Sequence, residues 1–332
     1  MPEARYLRSG EVAGLASYAD YVDAVREGYR QVGEGAPAEP RTKLTSAEPP
    51  GFLTAYMAIL PETGAMGTYT YAAGFGSADA HFLLPIFDAE SGEPLAVFDG
   101  ASMNPYKTGA AGAVGVDALA REDATDLAIL GSGSQARAQL AATATVRDLE
   151  QVRVFSPTAA NRERFAAEFD DRLEATVEPV DSSTAAVSDA DIVIAATRAT
   201  EPVFDGEELA EGAHVTAMGQ YSRDAREVDG TTVARATYVP DLRARADLDT
   251  GDAGAYIQAV EEGAIDADHI HAGLGEVVAG VAPGRTSDSE VTLFDSGGTG
   301  VETVAAAHML YERARDRDLG EMLDVTPASD AF

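Results

Sequence analysis

Apolar positions along the chain fall into two rhythms. From Ser17 to Val32 they recur at helical spacing, with Tyr18, Val22, Val25 and Tyr29 on one face. Pro37, Pro40 and the pair Pro49-Pro50 interrupt that pattern, and FLTAYMAIL and GTYTYAAGFG then read as strands rich in aromatics. HFLLPIFDAESGEPLAVFDG predicts a hairpin, two apolar runs joined by a Glu-Ser-Gly-Glu turn. The stretch MNPYKTGAAGAVG, from Met103 to Gly115, predicts a helix. Asn104 suits its cap, Pro105 suits the first helical position, and the pattern runs to about Arg121.

From Asp126 the rhythm becomes alternating β and α. DLAILGSGSQARAQL is strand, glycine turn and helix; QVRVFS, DIVIAAT, AHVTAMG and ATYVPD are further strands, with NRERFAAEF and SSTAAVSDA as helices between them. This alternation predicts an α/β domain with a doubly wound parallel sheet, ending near EVTLFDSGG. A last helix, Val301 to about Arg317, is expected to pack back on an N-terminal α+β domain.

In the glycine turn, Gly131, Gly133 and Ala136 form G-x-G-x-x-A directly after an apolar strand and at the start of a helix. In that context the pattern signals dinucleotide binding. The first glycine permits the turn, the second lets backbone approach a pyrophosphate, and the alanine lets helix and strand pack closely. The phosphates then rest on unpaired helix N–H groups, with Ser134 and Gln135 in the same turn. At the end of the second strand an NAD-preferring fold usually places an acid. Here Ser156, Pro157 and Thr158 stand there, and Arg162 follows. The two hydroxyls and the guanidinium suit a 2′-phosphate, so NADP(H) is favoured and NAD(H) stays possible.

Composition narrows the function. With 56 acids against 24 bases the net charge is −32, which argues against nucleic acid and anionic membrane as partners. There is no cysteine, which excludes disulfides, thiol nucleophiles and Cys-ligated zinc. The five histidines lack metal-ligand spacing apart from His269-x-His271, so no metal is expected. With neither a secretory h-region nor a long apolar run, a cytoplasmic location is expected. Scattered acids with almost no lysine suggest a surface adapted to high salt.

Only two lysines remain, Lys43 and Lys107. Lys107 falls in the first turn of its helix, where the macrodipole disfavours a cation by about 0.3–1 kcal/mol. The placement makes sense if an anion, either a substrate carboxylate or a cofactor phosphate, sits against it. Lys43 follows Arg41 by two residues, so in an extended segment both share a face and suit a carboxylate. Gly109, Gly112 and Gly115 leave one helix face bare for another backbone.

PRTKL, YMAILPETGAMG, GEPLAVFDG, YKTGAAGAVGVDALA, LAILGSGSQARAQL, DIVIAATRATEPVFDG, AHVTAMGQYSRDAREVD and GRTSDSEVTLFDSGGTG occur in an order that resembles the ornithine cyclodeaminase/mu-crystallin family. The resemblance implies a homodimer. It also implies a substrate-binding and dimerisation domain of residues 1–115 and 300–332, completed by the C-terminal helix, and a Rossmann-type NAD(P)-binding domain of residues 116–299. It matches Arg41 to a carboxylate-binding arginine, Lys107 to a position usually held by arginine, and Thr197 to a cofactor-contacting threonine, with Met218 and Gly219 in the same cofactor set.

Two positions depart from the family. Tyr69 stands where a strand lysine is usual, and Tyr221 where cyclodeaminases carry an aspartate for the distal amine. The resemblance therefore implies first an NAD(P)-dependent oxidoreductase acting at the α-carbon of a small amino, imino or keto acid. Arg41 and Lys107 would hold the carboxylate, and Lys43 or Tyr69 would move the proton, a nearby ammonium favouring the phenolate. Ornithine cyclodeamination and cofactor binding without turnover, as in a crystallin, are the alternatives.

The charge generates a first prediction. Self-repulsion at −32 should weaken the fold in dilute buffer, and salt screens it over about 10 Å at 0.1 M. Melting temperature should rise steadily from dilute buffer toward molar KCl; a flat profile would contradict the high-salt reading.

Overall fold

The computed structural model describes residues 3–77 and 79–330. The chain divides into two compact units, Met1–Lys107 with Thr299–Phe332, and Thr108–Gly298.

The first unit opens with β1 (Glu3–Leu7) and the short helix α1 (Ser9–Val12). Next comes α2 (Tyr18–Gly33), capped by Ser17 accepting from the Asp20 N–H. Tyr21, Val22, Val25 and Tyr29 form its buried stripe. Strands β2 (Thr42–Ala47), β3 (Pro50–Leu60), β4 (Ala65–Gly74), β5 (His81–Asp88) and β6 (Pro94–Asp99) follow, and β5 and β6 form the expected hairpin. The next helix, α3 (Asn104–Leu119), crosses the division between the units. It starts at Asn104 itself rather than after it, because the Lys107 N–H closes the first turn on the Met103 carbonyl at 3.0 Å.

The second unit alternates strand and helix: β7 (Asp126–Leu130), α4 (Ser134–Thr143), β8 (Gln151–Phe155), α5 (Ala159–Asp170), β9 (Thr176–Pro179), α6 (Ser183–Val187), β10 (Ile192–Ala195) and β11 (His214–Ala217). After these come α7 (Gly230–Arg235), β12 (Ala236–Pro240), α8 (Gly254–Glu261), α9 (Leu274–Val278) and β13 (Val291–Asp295). The chain then returns to the first unit for α10 (Gly300–Asp316) and β14 (Glu321–Asp324).

The first unit's sheet has the order β14-β1-β6-β5-β4-β3-β2, antiparallel except for the β1–β6 pair. On one face Tyr56, Ala58, Leu60, Tyr69, Leu84 and Ile86 are buried, and α10 packs across β3 and β4 and against α2. Gly300 starts α10 so close to β3 that a Cβ would stand 2.3 Å from the Met57 backbone. The other face alternates outward, as the pleat requires. It exposes Leu44, Leu53, Met57, Ile59 and Leu83.

The second unit's sheet is wholly parallel, in the order β12-β13-β11-β10-β7-β8-β9, as the β-α alternation predicted. Its strands bury both faces. Leu127, Ile129, Val152, Val154, Ile192 and Ile194 pack with residues of α3, α4 and α5; Ala128, Val193, Val215 and Leu293 pack with α6, α7 and α8. On α3 the bare face does admit backbone at Gly109, where a Cβ would lie 2.5 Å from the Ala138 carbonyl oxygen. Gly112 and Gly115 instead face the Gln139 side chain and the Phe294 ring. Beyond β13, Asp241 accepts from the Gly297 and Gly298 N–H groups at 3.0 and 3.1 Å, while Arg245, 1% exposed, binds Asp241 at 3.0 Å and Asp252 at 2.7 Å.

His214 is fully buried in β11, its ring nitrogens 2.9 Å from the hydroxyls of Thr292 and Thr216. Burial, with Arg285 and Arg147 nearby, pushes its imidazole down from 6.5 to about 3. Below pH 6.5 the unfolded chain therefore takes up a proton that the folded chain refuses, so stability falls as pH drops toward 3. His214→Gln should remove about 2 kcal/mol of the parent's loss between pH 7 and pH 5, read from urea denaturation. Parallel pH profiles for the two proteins would refute this.

Candidate active site

In the second unit the strand order reverses between β7 and β10, the place where doubly wound sheets take their ligands. The glycine turn lies there. Gly131 has φ +121°, and a Cβ on it would come within 2.5 Å of the Ala196 carbonyl oxygen. Only glycine fits that backbone. Gly133 is the opposite case, with nothing within 4 Å of its Cβ position; that space is open for a ligand. Ser134 starts α4 and is exposed, whereas Ala136 is buried against the sheet. Gln135 has a buried side-chain oxygen with no hydrogen-bond partner among the described residues. A turn open at Gly133 and free N–H groups at the start of α4 together fit a dinucleotide phosphate.

At the end of β8, the Ser132 hydroxyl donates to Ser156 at 3.0 Å, and Ser156 lies 3.4 Å from the Thr158 carbonyl. Arg162 does not lie free in solvent. It donates to the Ser156 carbonyl at 3.0 Å, pairs with the exposed Asp181 at 2.6 Å and stacks over Phe155. Thr197 follows β10, and Met218 and Gly219 follow β11. The N–H groups of Thr197 and Gly219 both donate to one buried carboxylate, Glu227, at 2.6 and 2.5 Å. Sequence reasoning missed Glu227, one acid among 56.

The first unit gathers its candidates around an aromatic cluster. The Lys107 ammonium lies 5.7 Å from the ring centre of Tyr56 and 5.3 Å from that of Tyr69, within cation–π range. The Arg41 guanidinium lies 4.9 Å from the centre of the Tyr56 ring and donates to the Tyr71 hydroxyl at 3.1 Å. Lys43 pairs in register with Thr54, on the same sheet face as Tyr56, and its ammonium is 4.6 Å from the Phe52 ring centre. Unlike Lys107, it is exposed.

Two expectations need correcting. Lys107 does stand beside an anion, but one supplied by the protein: Nζ is 3.2 Å from Glu302 Oε1, and the two side chains are 2% and 1% exposed. Glu302 in turn accepts the Thr299 N–H at 2.7 Å and the Thr299 hydroxyl, capping α10. Tyr69 has no lowered phenol. Its hydroxyl donates to the Gly100 carbonyl at 3.1 Å, the lysine faces its ring rather than its oxygen, and burial pushes the phenol well above its ordinary value. Its ring is fully buried and presents a π face to the Lys107 ammonium.

A parallel doubly wound sheet with an open glycine turn at its switch point defines a dinucleotide-binding α/β protein. More particularly, the chain belongs to the ornithine cyclodeaminase/mu-crystallin family, whose profile matches residues 4–318. A Delta(1)-pyrroline-2-carboxylate reductase of Bacillus cereus is 35% identical over 250 residues, 75% of this chain and 76% of that one. The structure of the Thermococcus litoralis Delta(1)-pyrroline-2-carboxylate reductase in complex with NADH and L-proline superimposes with a TM-score of 0.88 at 32% identity, covering 96% of this chain and 99% of that one. An archaeal alanine dehydrogenase dimer with bound NAD also gives 0.88, at 30% identity, covering 98% and 100%.

Removing one member of a buried ion pair costs about 3–5 kcal/mol, because the other charge is left uncompensated. Lys107→Met should therefore destabilise the protein strongly in urea denaturation, and adding Glu302→Gln should recover part of the loss. Losses that simply add would show that the two side chains act independently.

Proposed function

We propose that this protein is an NAD(P)-dependent oxidoreductase acting at the α-carbon of a small amino, imino or keto acid. The observation that carries the reading is the glycine turn, open at Gly133, in a chain that also brings Arg41 and Lys107 within 4.9 and 5.7 Å of the Tyr56 ring centre. The relatives named above, a pyrroline-2-carboxylate reductase and an alanine dehydrogenase, support it.

Gly131, Gly133, Ser134, Gln135 and Ala136 hold the pyrophosphate, and Thr197, Met218 and Gly219 border the other half of the cofactor. When bound, the nicotinamide supplies or takes the hydride. Ser156, Thr158 and Arg162 receive the ribose end; with no acid at the end of β8 itself, NADP(H) is preferred and NAD(H) is accepted. Arg41 grips the substrate carboxylate with its planar fork. Lys43, exposed on the same sheet face, adds a second positive charge. The charge of Lys107 is balanced by Glu302, so its task is to give or take the proton at the substrate nitrogen or oxygen.

The protein works as a homodimer, with a second copy covering Leu44, Leu53, Met57, Ile59 and Leu83; the dimeric alanine dehydrogenase supports this. Ornithine cyclodeamination is less well supported, since Tyr221 stands where those enzymes carry their aspartate.

Amino and keto acids should be screened with both cofactors at molar salt, following nicotinamide absorbance. Net oxidation or reduction is expected, with NADPH bound more tightly than NADH, and Ser156→Asp reversing that order. Gly133→Ala should leave the melting temperature unchanged and weaken cofactor binding. Ammonia release without net cofactor change would identify a cyclodeaminase instead, and tighter NADH binding by the parent would overturn the NADP preference.

A further inference from the structure

Glu227 is 2% exposed, and burial pushes its carboxyl up. Arg226, its neighbour in sequence, turns away to Glu262, with contacts of 2.5 and 2.9 Å. Backbone N–H groups hold the Glu227 carboxylate: Oε1 takes the Thr197 N–H and Oε2 the Gly219 N–H. These two residues begin the loops after β10 and β11, in the half of the sheet beyond the strand reversal. In a doubly wound fold each half of the sheet serves one mononucleotide. The glycine turn after β7 belongs to the first, so the loops held by Glu227 belong to the second.

The fit is tight. A Cβ on Gly219 would lie 2.3 Å from the Thr197 carbonyl oxygen and 2.6 Å from the Glu227 carboxyl carbon. Glu227 is itself tied down, since its carbonyl accepts the Val203 N–H at 2.9 Å and the preceding Arg226 N–H donates to the Thr200 carbonyl at 3.2 Å. The held loop borders the glycine turn: the Thr197 methyl is 3.5 Å from the Cβ position of Gly131. The Glu227 carboxylate thus bridges the two loops just beyond the end of the β10–β11 ladder, where the Gln220 side-chain amide adds a second link to the Ala199 carbonyl at 2.6 Å.

We propose that Glu227 is the positioning residue for the nicotinamide half of the cofactor, clamping the Thr197 and Gly219 loops in the arrangement that receives it. This rests on the dinucleotide reading of the second unit and adds a residue to it. Glu227 touches no reacting atom in this account; it acts through the backbone of Thr197 and Gly219.

The test compares two probes on the parent and on Glu227→Gln, in which an amide N–H would face one backbone N–H. NADPH or NADH, whichever the parent binds better, reports the whole site. ADP reports only the half at the glycine turn. By fluorescence and calorimetry, the dinucleotide should bind about tenfold or more weakly to the variant while ADP affinity stays within about twofold. Glu227→Asp keeps the charge but shortens the reach, and should show the same split more weakly; it carries the comparison if the glutamine variant does not fold. Equal losses for both probes would mean a general structural role, and no loss in either would mean no role, and both outcomes overturn the inference. A parent that binds neither probe would overturn the dinucleotide reading itself, and this inference with it.

Discussion

The carboxyl ends of β7 and β10 come so close that Gly131 has no room for a Cβ beside the Ala196 carbonyl. This contact fixes the turn at φ +121°, and the turn fixes where α4 begins and where its unpaired N–H groups point. The rest of the second unit is arranged about that point. Strands are buried on both faces, α3 to α5 cover one side, and α6 to α8 cover the other. A parallel sheet needs such double cover because its strands are apolar throughout.

The buried charges follow one rule in both units. Among the described residues each buried acid has a hydrogen-bond donor beside it, although the chain as a whole carries −32. Glu302 has Lys107 and the Thr299 cap, Asp241 has Arg245 and two glycine N–H groups, and Glu227 has the N–H groups of Thr197 and Gly219. A buried carboxylate without such partners would lose more to desolvation than packing returns. The same rule covers Lys107, which is buried beside its counter-charge Glu302; Lys43 differs, exposed with its ammonium 4.6 Å from the Phe52 ring centre.

Much of the fold could be read from the chain. The parallel sheet showed in apolar runs at β-α spacing, and the cofactor turn in G-x-G-x-x-A placed between strand and helix. The outer strands β1, β2 and β14 did not show. All six residues of TKLTSA in β2 are exposed or half-exposed, so the segment carries no alternation to signal a strand. Its partner is β3, and only the sheet supplies that. The prolines at 49 and 50, which interrupt the sequence pattern, lie at the turn between β2 and β3 and at the first residue of β3.

At the site, sequence determined which residue types were present and what local shapes they allow: a glycine turn, a lysine in the first turn of a helix, an arginine two positions before a second lysine. Tertiary structure decided their partners. Lys107 lies 195 residues from Glu302, and Glu227 lies 30 from Thr197 and 8 from Gly219. No local periodicity joins such pairs. The behaviour of the Tyr69 phenol, expected to be eased toward phenolate by a nearby ammonium but raised by burial instead, has the same cause. A side chain's proton affinity depends on its desolvation and on the orientation of nearby charge, and both are set only when distant segments have packed.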